Sequence, residues 1–87
     1  MLKNDIMSKM DSADKVKKII SEKLGLEENT LQENLSFKND LGADSLDICE
    51  VVWEVEKKFK FSISDEETEN IRTIGDLIVY VKEKQVA

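Results

Sequence analysis

The sequence predicts an all-α domain, a four-helix bundle with three longer helices, one short helix and a long first loop. Apolar residues recur at intervals of three and four, which is typical of helices that bury one face. No stretch alternates convincingly between apolar and polar residues, so no sheet is predicted, and the chain contains no proline. With 87 residues, of which 40% are hydrophobic, the chain is long enough for one core and for one domain only.

The first helix is predicted to begin near Asp11 or Ser12, because both side chains are good N-caps. Gly25 stands at the position where a glycine commonly ends a helix. Residues 1–10 mix lysine and aspartate without an apolar segment, so they do not resemble a signal peptide. We expect 1–10 to be a flexible N-terminal leader and 11–87 to be the folded domain. The apolar stripe of the first helix consists of Val16, Ile19, Ile20 and Leu24.

A long connection, residues 26–44, leads to the second helix. It contains too many apolar residues for a free linker, so it is expected to fold back over the bundle. The second helix is predicted to span about residues 45–59, with apolar stripes on two opposite sides. Cys49 lies between these sides, where it is expected to be a small, half-buried hydrophobe. The inner stripe consists of Ile48, Val52, Val55 and Phe59, with Val51 on its flank.

The third and fourth helices are predicted from their starts. Ser64 and Glu67 have the spacing of a capping box, which predicts a short helix from Ser64. The fourth helix is predicted to open near Thr73. Its buried stripe consists of Ile74, Leu77, Ile78 and Val81.

Negative charge is concentrated in the middle of the chain. Residues 36–76 contain 11 acidic and 5 basic residues, and the whole chain has a formal net charge of -6. Such a field repels nucleic acid and anionic membranes and attracts basic protein surfaces. The longest apolar run is too short to cross a membrane, so no stable membrane insertion is expected. The chain has one cysteine and no histidine, which excludes an internal disulfide and leaves no support for a metal site. A cytoplasmic location is expected.

Residues 41–47 read LGADSLD and place one serine between two aspartates, where the loop becomes the second helix. Without histidine in the chain, Ser45 cannot belong to a Ser-His-Asp triad. A serine that lacks a neighbouring base and is surrounded by negative charge suits modification by another enzyme. The alternative is an ordinary serine at a helix start, a position that serine favours.

This run closely resembles the prosthetic-group attachment motif of the acyl carrier proteins. The similarity extends from about Asp14 to the C-terminus and includes residues 16–20 and 65–67. The resemblance implies that Ser45 bears 4'-phosphopantetheine donated by coenzyme A, with Asp44 and Leu46 beside it. Asp44 is also expected to cap the helix. A protein of this kind is not itself an enzyme.

The resemblance also implies a function and partners. The chain is expected to carry growing acyl chains as thioesters in fatty acid biosynthesis. Specialised polyketide, lipid-modification or aminoacyl pathways are alternatives, and an acidic helical interaction module with an unmodified serine is an alternative of a different class. Expected partners are a phosphopantetheinyl transferase and acyltransferases, ketosynthases and related synthase enzymes with basic docking surfaces. The protein is expected to be a monomer.

Two further groups of site residues follow. The outer side of the second helix places hydrophobic residues among acids, which suggests a docking surface, although Trp53 could instead tuck under the long loop. The expected docking residues, besides Leu46, are Asp47, Glu50, Trp53 and Glu54. The family typically shelters part of the acyl chain among its helices, and the matching positions are Val52, Val55, Phe59, Ile63 and Ile71.

Overall fold

Four α-helices make up the structure, a computed structural model that describes residues 12–86. The predicted leader 1–10 and Asp11 lie outside the described residues. Within residues 12–86 there is no strand, only an isolated antiparallel bridge between Ser36 and Thr73. The prediction of an all-α fold with three longer helices and one short helix is confirmed. The helices are α1 Ser12–Leu24, α2 Ser45–Phe59, α3 Asp65–Glu69 and α4 Ile74–Val86, with a 3-10 turn at Glu28–Thr30.

The helix α1 buries its predicted apolar stripe except for Leu24, which is half-buried, and it packs against both α2 and α4. Gly25 follows it with φ +67°, a left-handed backbone conformation that glycine adopts without a steric penalty. The Leu26 N–H donates to the Ser21 carbonyl at 3.1 Å, and the Ser21 hydroxyl donates to the Leu26 carbonyl at 2.5 Å. These two bonds fix the direction in which the loop leaves α1. The buried residues of α1 are Ala13, Val16, Ile19 and Ile20.

The loop between α1 and α2 folds back over the bundle, as predicted, because its apolar side chains enter the core. Leu31 and Phe37 are buried, at 2% and 1% exposed. Backbone hydrogen bonds join the loop to the start of α4. The Phe37 N–H donates to the Arg72 carbonyl at 3.0 Å, and the Ile74 N–H donates to the Leu35 carbonyl at 3.1 Å. We call this contact between residues 33–37 and 72–75 the loop–α4 junction.

Gly75 lets the loop approach the first turn of α4 closely. Its N–H donates to the Glu33 carbonyl at 2.8 Å. A Cβ atom on residue 75 would lie only 3.0 Å from that same carbonyl oxygen, which is closer than ordinary van der Waals contact. Any side chain larger than hydrogen would therefore push the loop away from α4.

The helix α2 places its predicted inner side in the core. Phe59, its last residue, is only half-buried, and its ring centroid lies 6.3 Å from that of Phe61. The helix ends at Lys60, whose φ of 61° is uncommon for a residue with a side chain. The buried residues of α2 are Ile48, Val51, Val52 and Val55.

The short helix α3 buries none of its own side chains and is held at its ends. The Ser64 hydroxyl accepts from the Glu67 N–H, and the Glu67 carboxylate accepts from the Ser64 N–H, both at 3.1 Å. The predicted capping box is confirmed. Ile63 and Ile71, on either side of α3, are buried and anchor it to the core. The predicted stripe of α4 is buried as well: Ile74, Leu77, Ile78 and Val81.

Tyr80 on α4 lies close to Glu67 on α3. Burial raises the pKa of Tyr80 to about 12, and the Glu67 carboxylate adds to this shift. The Tyr80 hydroxyl and the Ser64 N–H together lower the pKa of Glu67. The Tyr80 oxygen is buried and lies outside full hydrogen-bonding geometry with any group of residues 12–86. Tyr80 therefore remains protonated, and the contact is an electrostatic one between α3 and α4.

Candidate functional site

Ser45 is the first residue of α2, and its side chain is exposed. Asp44 caps the helix, as predicted: its carboxylate accepts from the Asp47 N–H at 2.9 Å. The Asp47 carboxylate accepts in turn from the Asp44 N–H at 3.2 Å, which completes a capping box. The two aspartates that flank the serine therefore fix the backbone on both sides of it.

The chain reaches Ser45 through a short, anchored turn. Gly42 has φ +68°, a left-handed conformation that glycine adopts readily and most other residues avoid. Ala43 is buried, and its N–H donates to the Phe37 carbonyl at 2.8 Å. Because Phe37 lies in the core, the backbone two residues before Ser45 is tied to the bundle. The position of Ser45 therefore depends on the long loop as well as on α2.

The Ser45 hydroxyl has no base beside it and makes no side-chain hydrogen bond within residues 12–86. The backbone N–H groups of Ser45 and Leu46 have no acceptor in that range either, as is usual for the first turn of a helix. Free amides at a helix N-terminus favour a phosphate, because the helix dipole adds to their hydrogen bonds. The site therefore fits a covalently attached, phosphate-bearing group and lacks the base that a catalytic serine needs.

A groove of about 770 Å³ opens beside Ser45. The loop turn at 36–39 forms one side, α2 forms the second, and α3 with Arg72 forms the third. Two buried isoleucines, Ile48 and Ile71, supply its apolar surface, and charged side chains surround it. The lining residues are Ser36, Lys38, Asn39, Ser45, Ile48, Cys49, Asp65, Thr68, Glu69, Ile71 and Arg72.

Cys49 is exposed, so the prediction that it is half-buried is wrong. It follows Ser45 by four residues, about one helical turn, and lines the same groove. The sequence pattern placed Cys49 correctly between the two apolar stripes of α2. The gap between α2 and α3 leaves this flank open to solvent, and that gap could not be seen in the sequence.

The outer side of α2 is exposed around two large hydrophobic residues. Leu46 and Trp53 are 67% and 66% exposed. This exposure excludes the alternative in which Trp53 tucks under the long loop. The Lys57 ammonium lies 6.0 Å from the Trp53 ring centroid, within the range of a cation–π contact. Glu50 is exposed on the same helix. The structure thus brings the expected docking residues together on one surface.

Glu54 takes part in ion pairs that the sequence did not reveal. Its carboxylate lies 3.6 Å from the Lys23 ammonium on α1 and 3.4 Å from the Lys57 ammonium on α2. These pairs are partly exposed, so each contributes little to stability. They nevertheless offset the charge of Glu54. The Asp47 carboxylate accepts a hydrogen bond in the helix cap. Of the three expected docking acids, Glu50 is therefore the one that has neither an ion pair nor a hydrogen bond to its side chain within residues 12–86.

The residues matched to an acyl-chain shelter are mostly packed in the core. Among them only Ile71 lines the groove beside Ser45. Ile48 lines it as well, although the resemblance did not assign this role to Ile48. Its position three residues after Ser45 on a helix is the signal that could have identified it. The remaining matched residues are Val52, Val55 and Ile63, which are buried, and Phe59, which is half-buried.

Comparisons with known proteins agree with this geometry. Residues 14–81 match the family model described as the phosphopantetheine attachment site. An acyl carrier protein from Chlamydia caviae is 47% identical over 76 residues, which cover 87% of this chain and 99% of that protein. The chain belongs to the acyl carrier protein family.

Solved structures of acyl carrier proteins share the fold. A Mycobacterium tuberculosis protein assigned as an acyl carrier protein superposes with a TM-score of 0.78 at 28% identity, covering 83% of this chain and 96% of that one. The acyl carrier protein of Enterococcus faecalis superposes with a TM-score of 0.68 at 40% identity, covering 80% of this chain and 89% of that one. Both alignments span most of the bundle.

Membership of the family has direct consequences. The chain is a carrier and not an enzyme, and its cofactor is a covalently attached 4'-phosphopantetheine. Its interaction partners include a phosphopantetheinyl transferase and synthase enzymes. None of the helices in the described part of the chain is long and apolar enough to cross a membrane.

Proposed function

We propose that Ser45 is the attachment residue of 4'-phosphopantetheine and that the protein carries acyl chains as thioesters in cytoplasmic fatty acid biosynthesis. The observation that supports this proposal is an exposed, unengaged Ser45 hydroxyl at the capped start of α2, beside a groove. When attached, the arm supplies the terminal thiol that holds the acyl group. The contribution of this chain is to position the hydroxyl and to present it to partner enzymes.

The attachment reaction needs a base from the partner. The transferase removes the proton from the Ser45 hydroxyl, and the oxygen attacks the pyrophosphate of coenzyme A. An oxygen–phosphorus bond forms, the phosphoanhydride bond breaks, and adenosine bisphosphate leaves. The capping box of Asp44 and Asp47 keeps Ser45 in one place during this reaction. The free N–H groups of Ser45 and Leu46 are positioned to interact with the attached phosphate.

The outer side of α2 is the surface on which we expect the partners to dock. Leu46 and Trp53 supply the apolar contact next to the attachment residue. Glu50 and Asp47 attract basic surfaces on the transferase, acyltransferases and ketosynthases, since opposite charges speed the encounter and fix its orientation. Such a contact suits brief, repeated binding of several enzymes.

The groove beside Ser45 is the entrance that we propose for the acyl chain. A chain that passes Ile48 and Ile71 would reach Val52, Val55 and Ile63, which are packed together in the core. Access to them requires α3 to move outward. We expect this movement because α3 buries none of its own side chains, and weakly packed elements open most readily.

Intact-mass measurement tests the attachment residue. Incubation with coenzyme A, magnesium and a broad-specificity transferase should add one phosphopantetheine mass. Ser45→Ala should abolish the addition with little effect on folding, because Ser45 is exposed. Ser62→Ala is the matched control, since Ser62 is also exposed, and this variant should be modified normally. Modification of the Ser45→Ala protein at Ser36 or Ser64 would overturn the assignment.

The pathway is tested with the modified protein. In fatty acid biosynthesis it should accept a malonyl group and support chain extension by fatty acid synthase enzymes. Loading by an aminoacyl-activating enzyme, combined with failure in chain extension, would favour a specialised carrier instead. Release of the group by neutral hydroxylamine would identify the linkage as a thioester.

A further inference from the structure

We propose that Lys38 and Arg72 hold the phosphodiester of the arm and so bind its first portion against the groove. This inference rests on the proposed attachment at Ser45. Both side chains line the groove that Ser45 also lines. They belong to different segments, the long loop and the stretch before α4, so only the folded chain brings them together.

The loop–α4 junction fixes the backbone of both residues. The Phe37 N–H donates to the Arg72 carbonyl, and the bridge between Ser36 and Thr73 lies beside this bond. The turn that contains Lys38 is closed by the Asp40 side chain, which accepts from the Ser36 N–H at 2.6 Å. The Cα atoms of the two basic residues are therefore held in place on adjacent backbone segments. Binding of the phosphodiester would need to order only the side-chain rotamers.

Lys38 and Arg72 differ from the other basic residues of the acidic middle segment. The remaining three of its five bases, Lys57, Lys58 and Lys60, lie at the far end of α2. Within residues 12–86, neither Lys38 nor Arg72 makes an ion pair with a carboxylate. Both therefore remain available for an anion at the end of the molecule where Ser45 lies.

A phosphodiester at Ser45 needs such partners. Attachment of the arm adds a permanent negative charge next to Asp44 and Asp47, and like charges this close disfavour the folded state. An arginine donates to two phosphate oxygens at once, and a lysine adds a compact positive charge. The acids Asp65 and Glu69 also line the groove and compete for the same two cations. The experiment must therefore compare the protein with and without the arm.

The test uses unmodified and modified protein, each verified by intact mass. The test variant is Lys38→Gln with Arg72→Gln. The control is Lys58→Gln with Lys60→Gln, which removes the same charge at the other end of α2. If wild-type protein gains no mass at Ser45, the proposed function fails before this inference is tested.

The readouts are the melting temperature at low salt and the phosphorus-31 NMR shift of the arm. For each protein, the melting temperature of the unmodified form is subtracted from that of the modified form. This difference should be about 2–4 °C lower in the test variant than in wild type, as expected for the loss of exposed ion pairs. The phosphorus shift should move in the test variant and stay at its wild-type value in the control. Molar salt should remove the difference in melting temperature.

Two results would overturn the inference. The first is that the difference in melting temperature between modified and unmodified protein is the same in the test variant as in the control. This result would show that the phosphodiester does not use these cations. An equal loss in both forms of the test variant, with an unchanged phosphorus shift, would show that Asp65 and Glu69 are their partners instead.

Discussion

The inner and outer sides of α2 share one backbone and differ in what they require of their side chains. Apart from the half-buried Phe59 at its end, the inner side consists of aliphatic residues that are at most 7% exposed. The outer side has two hydrophobic residues, Leu46 and Trp53, that are about two-thirds exposed and stand near acids. The core is complete without Leu46 and Trp53, so folding does not explain their presence. An apolar surface that folding does not need is available for contact with other proteins.

The comparison separates stability from recognition on a single helix. Substitutions on the inner side should change the free energy of unfolding and leave partner affinity intact in the folded fraction. Substitutions on the outer side should lower partner affinity and leave the free energy of unfolding nearly unchanged. The three predictions that follow test this separation, beginning with the largest expected effect.

Val55→Ala should destabilise the protein most. Val55 is fully buried at the centre of the inner side, so its truncation removes packing and leaves a cavity. We expect a loss of about 2–3 kcal/mol in unfolding free energy and a melting temperature lower by about 10 °C or more. Urea unfolding and thermal melts measure both. A loss below about 0.5 kcal/mol would contradict the assignment of Val55 to the core.

Trp53→Ala should show the opposite behaviour. Because the ring is exposed, unfolding free energy should change by no more than about 0.5 kcal/mol. Transfer by the transferase or a ketosynthase should weaken, with the Michaelis constant raised roughly five-fold, as for loss of an interface residue worth about 1 kcal/mol. Val79→Ala is the control, since Val79 is also an exposed hydrophobic residue, 54% exposed, but belongs to a different helix, α4. If the Trp53→Ala protein reacted normally with several partner enzymes, Trp53 would not be part of the docking surface.

Reversal of charge at Glu50 and Glu54 should give smaller and unequal effects. Glu50→Lys should raise the Michaelis constant a few-fold at low salt with little change in stability, and added salt should narrow the difference. Glu54→Lys places a third ammonium beside Lys23 and Lys57, so it should also cost up to about 1 kcal/mol of stability. Steady-state kinetics and melts on the two variants separate these outcomes. Identical behaviour would mean that the ion pairs of Glu54 do not matter.

Local chemistry made much of this helix predictable from sequence. The bounds of α2 follow from Asp44 as a cap and from the spacing of its inner residues, and both operate within a few positions of the chain. The capping box of α3 was predictable for the same reason. The hypothesis that Ser45 is the attachment residue needs only a motif of seven consecutive residues, so it could be formed from the sequence alone.

Features that depend on distant segments were not predictable. The pairing of Glu54 with Lys23 requires α1 and α2 to pack at one particular register, and periodicity does not specify register between helices. The exposure of Cys49 depends on the gap next to α3, and the groove itself requires the loop, α2 and α3 together. Whether the Trp53 side chain is exposed could not be decided from the sequence, because its exposure depends on which part of α2 the long loop covers.

The loop–α4 junction has a consequence for the time at which the site forms during synthesis. The bonds from Ile74 and Gly75 to the loop join segments about forty residues apart in the chain. A ribosome adds roughly 5–20 residues per second, so several seconds separate the appearance of the loop from that of its partner. Until the interval ends, the nascent chain already contains the serine, but the groove beside it lacks Arg72 and the junction that joins the loop to α4. A transferase that reads the folded groove would therefore act only after the start of α4 has emerged.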